Sequence, residues 1–490
     1  MGLKLSQFTV PVHNHPAVGR HLLYNTLTRA VSSINDEGWT LLQKLPHTPT
    51  QPNATPWLEA LAQHGFVVPE TLDEGEMYVQ RQAQAKTNTD HLHVTLSLVQ
   101  RCNFGCTYCY QGGNESTHSG SKIAPLGSQS PGFGLWDSGA GEDPDPGPRT
   151  PDPGSINTAE IIGFLKSQCE TRQVKRLHFT AYGGEPLLNK PALLEIVSTM
   201  HAYCKAKGIR WLFDMVSNGS LLTRKTVLEL KKYGFIQVQV TIDGNRETHN
   251  ASRPFLNGIG KNISTYDIIM KNLEAWAGLI HTDVLCVVSE SNVDAAYELI
   301  DTLADKGLAE KQVRMKFSPI SPTYDDETIS ETAQNFADNP DMLTTELVMI
   351  DHITKLEIQA AKRGLIDDLR PRGTWCAVMR GNGQTVTITP DGKIYSCTLF
   401  IGRGEEYETG HIRLQERGGL DTLMASFSYP EQCKKCAYLP ICSNCRADAL
   451  SKTGDIMGAD SHEAHFDLIV PQVIRAHYDL RHQQANSQSA

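Results

Sequence analysis

An α/β fold built on a parallel sheet follows from three features of the 490-residue sequence. From residue 91 to 317, apolar patterns of period two alternate with patterns of period 3.6, the mark of β/α units. Six such units in succession imply parallel strands joined by right-handed crossovers. Nine of the twelve cysteines fall in tight groups, one at a strand end and the rest beyond residue 375, where the alternation stops.

Residues 1–88 read as a small α+β module. Residues 21–45 suggest a mixed strand and helix unit, Trp57 to His64 a helix, and Phe66 to Val68 a short strand closed by Pro69. The first strand of the main sheet lies in His91 to Val99, where Leu92, Val94, Leu96 and Leu98 alternate with polar residues. Residues 112–154 are dense in Gly, Ser, Pro and Asp and cannot bury enough apolar surface to order themselves, which predicts a flexible insertion. Helical spacing then marks Ile161 to Leu165, the segment entered through Pro191, Val227 to Leu230, Ile268 to Trp276 and Ala295 to Leu303. Strands are predicted at Leu177 to Ala181, Trp211 to Val216, Ile236 to Ile242, Val284 to Val288 and Val313 to Phe317. One long helix is expected from Asp341 to Arg363, and a short strand from Thr385 to Ile388 before the turn Pro390-Asp391-Gly392.

The 40% apolar and 20% charged composition suits a globular protein with real cores. A net charge of −10 without basic clusters argues against nucleic-acid binding. Neither a signal pattern nor a membrane-spanning run is evident, so a cytoplasmic protein is expected. Cysteines in such a setting favour metal or redox chemistry over disulfides. Cys169, Cys204 and Cys286 stand alone in apolar patterns and read as small core residues.

Directly after the first sheet strand comes Cys102-Asn103-Phe104-Gly105-Cys106-Thr107-Tyr108-Cys109, a C-x3-C-x2-C loop. Structural zinc wants four closed ligands, and no fourth is evident nearby. In parallel α/β folds, sites form at the C-terminal ends of strands. Gly183-Gly184-Glu185-Pro186, Ser217-Asn218 and Asp243-Gly244, the last leading into His249 and Arg253, all follow predicted strands. Each alone reads as a turn. Together they resemble the radical S-adenosylmethionine (radical SAM) enzymes. The resemblance implies a partial (β/α)6 barrel, with Cys102, Cys106 and Cys109 on a 4Fe-4S cluster that has one iron open to S-adenosylmethionine. It further assigns Tyr108, Gly183, Gly184, Glu185, Ser217, Asn218, Asp243 and Arg253 to cofactor binding, Arg253 facing the cofactor carboxylate. The activity implied is reductive cleavage of S-adenosylmethionine to a 5′-deoxyadenosyl radical, with an electron donor such as flavodoxin or ferredoxin.

Beyond the barrel, Cys376, Gly392, Cys397, Cys433, Cys436, Cys442 and Cys445 resemble the SPASM extension of radical SAM enzymes, which carries auxiliary 4Fe-4S clusters. A zinc ribbon is the alternative for Cys433 to Cys445. The family commonly uses a further cysteine after this run, and none follows Cys445. One or two auxiliary clusters are expected, with an open iron or a non-cysteine ligand. Asp460, His462 and His465 lie within reach in sequence, though a polar helix surface is their simpler role.

The division implied is an N-terminal module at 1–88 and a barrel at 89–335 with its insertion at 112–154. A linking helix at 336–375, a SPASM-like domain at 376–450 and a tail at 451–490 complete it. The module is loosely similar to winged-helix domains that recognise peptide leaders; an extension packed on the barrel accounts for it equally well. The function implied is a maturase that cross-links or otherwise modifies a peptide or protein. The alternatives are a sulfatase-maturase-like enzyme oxidising Cys or Ser to formylglycine, and a zinc-stabilised peptide-binding scaffold without catalysis.

Overall fold

The computed structural model describes residues 2–45, 55–87, 89–109, 157–256, 263–320, 341–373, 384–401, 404–414, 427–442, 445–458 and 463–489. The predicted insertion at 112–154, Cys376, Asp460 and His462 lie outside these residues.

The six predicted strands form a continuous parallel ladder in sequence order. They are β6 (His91–Val99), β7 (Arg176–Gly183), β8 (Arg210–Ser217), β9 (Phe235–Thr241), β10 (His281–Val288) and β11 (Val313–Pro319). Helices fill the crossovers: Thr158–Thr171, Lys190–Lys207, Arg224–Lys231, Thr265–Trp276 and Val293–Asp305. Their starts are chemically marked. Asn157 and Glu160 form a reciprocal capping box, and Thr223, Asn245 and Ser264 cap the helices that follow them.

One face of the sheet carries Leu177, Phe179, Phe213, Val238, Val240, Val284 and Met315, all buried in the main core beneath these helices. Cys169, Cys204 and Cys286 are buried in the same core, as their apolar settings predict. At β11 the helix Asp341–Lys362 packs against the sheet through Leu356 and Ala360.

The sheet does not end with the six repeats. Strand β12 (Thr385–Ile388) adds to the free side of β6 in parallel register, Thr385 opposite His93 and Ile388 opposite Leu96. An antiparallel pair, β13 (Lys393–Tyr395) and β14 (Glu408–His411), extends it to nine strands among the described residues. Local pattern identified β12 but carries no information on its distant partner, Thr385 standing opposite His93.

The N-terminal module holds an antiparallel sheet of β2 (Thr9–Val12), β3 (Arg20–Asn25) and β4 (Val31–Asn35), followed by helices Asp36–Gln43, Thr55–Gln63 and Glu74–Thr87. The short strands β1 (Leu3–Leu5) and β5 (Val67–Pro69) pair beside it. Its contacts run to the C-terminal region. Val10, Val12, Leu22 and Tyr24 share a core with Leu369, Tyr438, Ile441, Val470 and Ile474. Thr26 Oγ1 donates to the Ala437 carbonyl at 2.6 Å, and Gln7 Nε2 to that of Lys434 at 2.8 Å. The last helix, Glu463–Ser489, runs between this sheet and Asp341–Lys362. No helix of the described residues is long and apolar enough to cross a membrane.

Candidate active site

The cysteine loop is fixed from two sides. On one side, Gly184 N–H donates to the Val99 carbonyl at 2.8 Å and Glu185 N–H to that of Arg101 at 3.0 Å. A Cβ on Gly184 would lie 2.0 Å from the Arg101 oxygen, and one on Gly183, at φ +122°, 2.3 Å from the Val99 oxygen. The paired glycines are thus required by the close approach of two backbone segments. On the other side, Gly105 N–H donates to the Pro254 carbonyl at 2.8 Å, Thr107 N–H to that of Ser252 at 3.0 Å, and Leu256 N–H to that of Asn103 at 2.9 Å. Phe104, almost fully buried, meets Phe255 edge to face at 5.2 Å.

Beneath the loop lies a buried polar layer. Glu185 is fully buried, and its carboxylate accepts from Ser217 Oγ at 2.9 Å, Asn218 N–H at 2.8 Å and Leu187 N–H at 3.1 Å. Burial pushes its pKa up to about 6 against those donors. Asn218 Nδ2 donates to Asn103 Oδ1 at 2.7 Å and reaches Cys102 Sγ at 3.6 Å, which also receives the Phe104 N–H at 3.4 Å. Asn103 in turn donates to Ser220 Oγ at 2.9 Å.

A second network joins Tyr108, Asp243 and Arg253. The Tyr108 hydroxyl donates to Asp243 Oδ2 and accepts from Arg253 Nη1 at 2.8 Å. The guanidinium stands 5.9 Å from both the Phe104 and Tyr108 ring centres. Asp243 also accepts from Val287 N–H at 3.2 Å, while its own N–H donates to His249 Nδ1 at 3.1 Å. That bond puts the His249 proton on Nε2. Burial and the Arg253 charge push His249 down to about 3, so the ring is neutral. Burial opposes the Arg253 charge, but Cys106, Tyr108 and Asp243 outweigh it and hold the guanidinium protonated. Two buried donors in this network, Arg253 Nε and His249 Nε2, have no hydrogen-bond partner.

Every proposed cofactor residue therefore meets at one end of the sheet. The three thiols are free, and burial pushes Cys102 up to about 12, with Cys106 raised for the same reason. Thiols so placed ionise against a cation, and N–H donors on Cys102 with a guanidinium beside Cys106 suit bound thiolate. The donor set fits an iron–sulfur cluster. Among the described residues, no three His, Cys, Asp or Glu side chains are gathered around a single ion; a multi-iron centre holds its ligands farther apart.

Sequence reading did not find the sheet's other face. His93 and His178 stack at 4.3 Å, His178 Nε2 meets Asp214 Oδ2 at 2.6 Å, and Gln237 Nε2 donates to Asp283 Oδ2 at 2.6 Å. Lys316 pairs with Asp283 at 2.7 Å, and Asp214 Oδ1 is buried without a partner. The signal was present, since polar residues at every second position are unexpected in parallel strands covered on both faces. They mark the face of the sheet opposite the helices as polar.

The C-terminal cysteines gather in two places. Cys433, Cys436 and Cys442 sit on successive turns, with Cys436 N–H bonded to the Cys433 carbonyl at 3.1 Å and Cys442 N–H to that of Tyr438 at 2.9 Å. Cys397 and Cys445 instead pack on one apolar cluster with Tyr395, Phe400, Ala447 and Leu450. His465 is buried against Glu346 at 3.5 Å, on the side of the helix Asp341–Lys362.

A parallel ladder with a three-thiol loop at its C-terminal edge defines a class, and the sequence comparison agrees with it. Residues 96–303 match the Radical SAM superfamily, so the chain carries a radical SAM domain and is an enzyme. Such a domain implies a 4Fe-4S cluster and S-adenosylmethionine. The chain is 19% identical over 348 residues to the cysteine-type anaerobic sulfatase-maturating enzyme of Clostridium perfringens, spanning 65% of this chain and 90% of that one. It is 23% identical over 320 residues to the AdoMet-dependent heme synthase of Methanosarcina barkeri, spanning 62% and 86%. The solved structure of anSMEcpe with AdoMet and the Cp18Cys peptide superposes with a TM-score of 0.53 at 15% identity, over 79% of this chain and 99% of that one. At this identity the superposition speaks for the fold.

Proposed function

We propose that the protein is a maturase that uses radical chemistry to modify, most simply to cross-link, a residue of a peptide or protein. The reading is carried by one observation: the cysteine loop, Gly183 to Glu185, Ser217-Asn218 and the Asp243–Tyr108–Arg253 network converge at the C-terminal edge of a parallel sheet. Cys102, Cys106 and Cys109 would hold the cluster, and the unpartnered Arg253 Nε–H offers a donor for a carboxylate. When bound, cluster and S-adenosylmethionine together supply the 5′-deoxyadenosyl radical. The protein's share is positional. Glu185 and Asn218 fix the loop, Phe104 and Phe255 close it against water, and the polar face of the sheet suits a chain rich in amide groups. A one-electron donor of flavodoxin or ferredoxin type would serve the site.

The peptide substrate is supported by the sulfatase-maturase relative, which the chain matches over nine-tenths of that enzyme's length. The grouping of Cys433, Cys436 and Cys442 apart from Cys397 and Cys445 favours two auxiliary centres. Residues 1–88 would bind a leader segment of the substrate. Co-expression with a short peptide encoded beside the gene tests the reading. The expected product has lost two hydrogens, and an unchanged peptide mass with active enzyme would overturn it. Formylglycine formation, the second reading favoured by the same relative, gives a different mass from cysteine, where sulfur is exchanged for oxygen; from serine it also removes two hydrogens, and capture of its aldehyde by a hydrazine tells it from a cross-link.

A further inference from the structure

Cys433, Cys436 and Cys442 form a three-thiol group in a chain with no cysteine beyond Cys445. The segment is wound tightly: Cys433 N–H bonds to the Pro430 carbonyl at 3.0 Å, Cys436 N–H to that of Cys433, and Leu439 N–H to that of Cys436 at 3.3 Å. The first turn of the helix Glu463–Ser489 is docked on this winding. The Phe466 ring stacks on Tyr438 at 5.2 Å and 27°, and the Tyr438 hydroxyl donates to Asp467 Oδ1 at 2.6 Å. Tyr438 in turn gives its N–H to Cys436 Sγ at 3.4 Å, and Cys436 packs in the same apolar cluster as Tyr438 and Phe466.

Residues three and four apart share a helix face, and helical side chains lean toward the N-terminus. Glu463 precedes Phe466 by three and Asp467 by four, so it stands on the docked face, at the end that reaches farthest past Tyr438. Among the described residues, the Glu463 carboxylate has no hydrogen-bond or ion-pair partner. His465, by contrast, is committed to Glu346.

We propose that Glu463 supplies the fourth ligand, a carboxylate, to an iron–sulfur centre on Cys433, Cys436 and Cys442. The inference rests on reading these cysteines as auxiliary-cluster ligands. Iron held by a hard oxygen ligand among thiolates is the exchangeable one, and its centre has a higher potential than an all-thiolate one.

The test uses the full chain carrying Cys102→Ala, Cys106→Ala and Cys109→Ala, reconstituted anaerobically with iron and sulfide. Iron content, the [3Fe–4S] EPR signal after mild oxidation and the midpoint potential are then compared. Glu463→Ala and Glu463→Gln should retain less iron and give a larger [3Fe–4S] signal. Glu463→Cys should suppress that signal and move the potential to more negative values, a gain that a purely structural role would not produce. Unchanged iron, signal and potential in all three variants would overturn the assignment. So would their reproduction by Asp460→Ala or His462→Ala while Glu463→Ala is silent. If the parent lacking the first three cysteines binds no iron at all, the underlying reading of the C-terminal cysteines falls instead. That outcome is seen before any Glu463 variant is made.

Discussion

Tyr108 holds together the two charges that flank the cysteine loop, because its hydroxyl gives one hydrogen bond to Asp243 and takes one from Arg253. Tyr108→Phe leaves both groups buried with one partner fewer, which should cost about 1–3 kcal/mol in denaturant unfolding and weaken S-adenosylmethionine binding. Glu185 is the complementary case. Among the described residues its carboxylate meets hydrogen-bond donors only, so Glu185→Gln turns an amide N–H₂ toward one of them and should destabilise by a similar amount, about 1–3 kcal/mol. The run Gly183-Gly184-Glu185 stands out in the sequence as a candidate for the site, but the division of labour within it does not. The glycines admit neighbouring backbone, and the carboxylate braces Ser217 and Asn218, relations set by segments distant in sequence.

At the level of elements, the helix Asp341–Lys362 carries Glu357, which burial pushes up to about 7 from 4.5. A carboxyl with a raised pKa in the folded state binds more protons there than when unfolded, so stability falls as pH rises from 4.5 to 7. Glu357 is only half-buried, so the loss expected is about 1–2 kcal/mol, below the full value of the shift. Urea titrations at pH 5 and 8 should show the difference, and Glu357→Gln should remove it. A second element-level test lies where the helix Glu74–Thr87 meets the C-terminal cysteines. A Cβ on Gly75 would stand 2.1 Å from the Lys434 carbonyl. Gly75→Ala should therefore cost about 1–3 kcal/mol and lower the melting temperature by overpacking this contact. The elements themselves were written in periodicity, and the six parallel strands fall where the alternation of Leu177, Phe179 and Ala181, or of Val238 and Val240, puts them. Pairing across long separations was not. Nothing local in Thr385–Ile388 specifies β6 as its neighbour, nor in Thr26 the Ala437 carbonyl.

On the scale of the whole molecule, the N-terminal sheet, the last helix and the Cys433–Cys442 winding share one apolar core, while β12 ties the C-terminal region to the first barrel strand. Module, barrel and cysteine-rich region are thereby joined through Tyr438, Ile441 and Thr385 as well as by the chain. The account stands or falls on the cysteine loop as the place where the radical begins. The direct measurement is 5′-deoxyadenosine release by the anaerobically reconstituted chain on reduction with S-adenosylmethionine. The wild-type chain should release it, and Cys102→Ala, Cys106→Ala and Cys109→Ala together should abolish release while the C-terminal iron remains. Continued cleavage of S-adenosylmethionine by that triple variant would contradict the assignment.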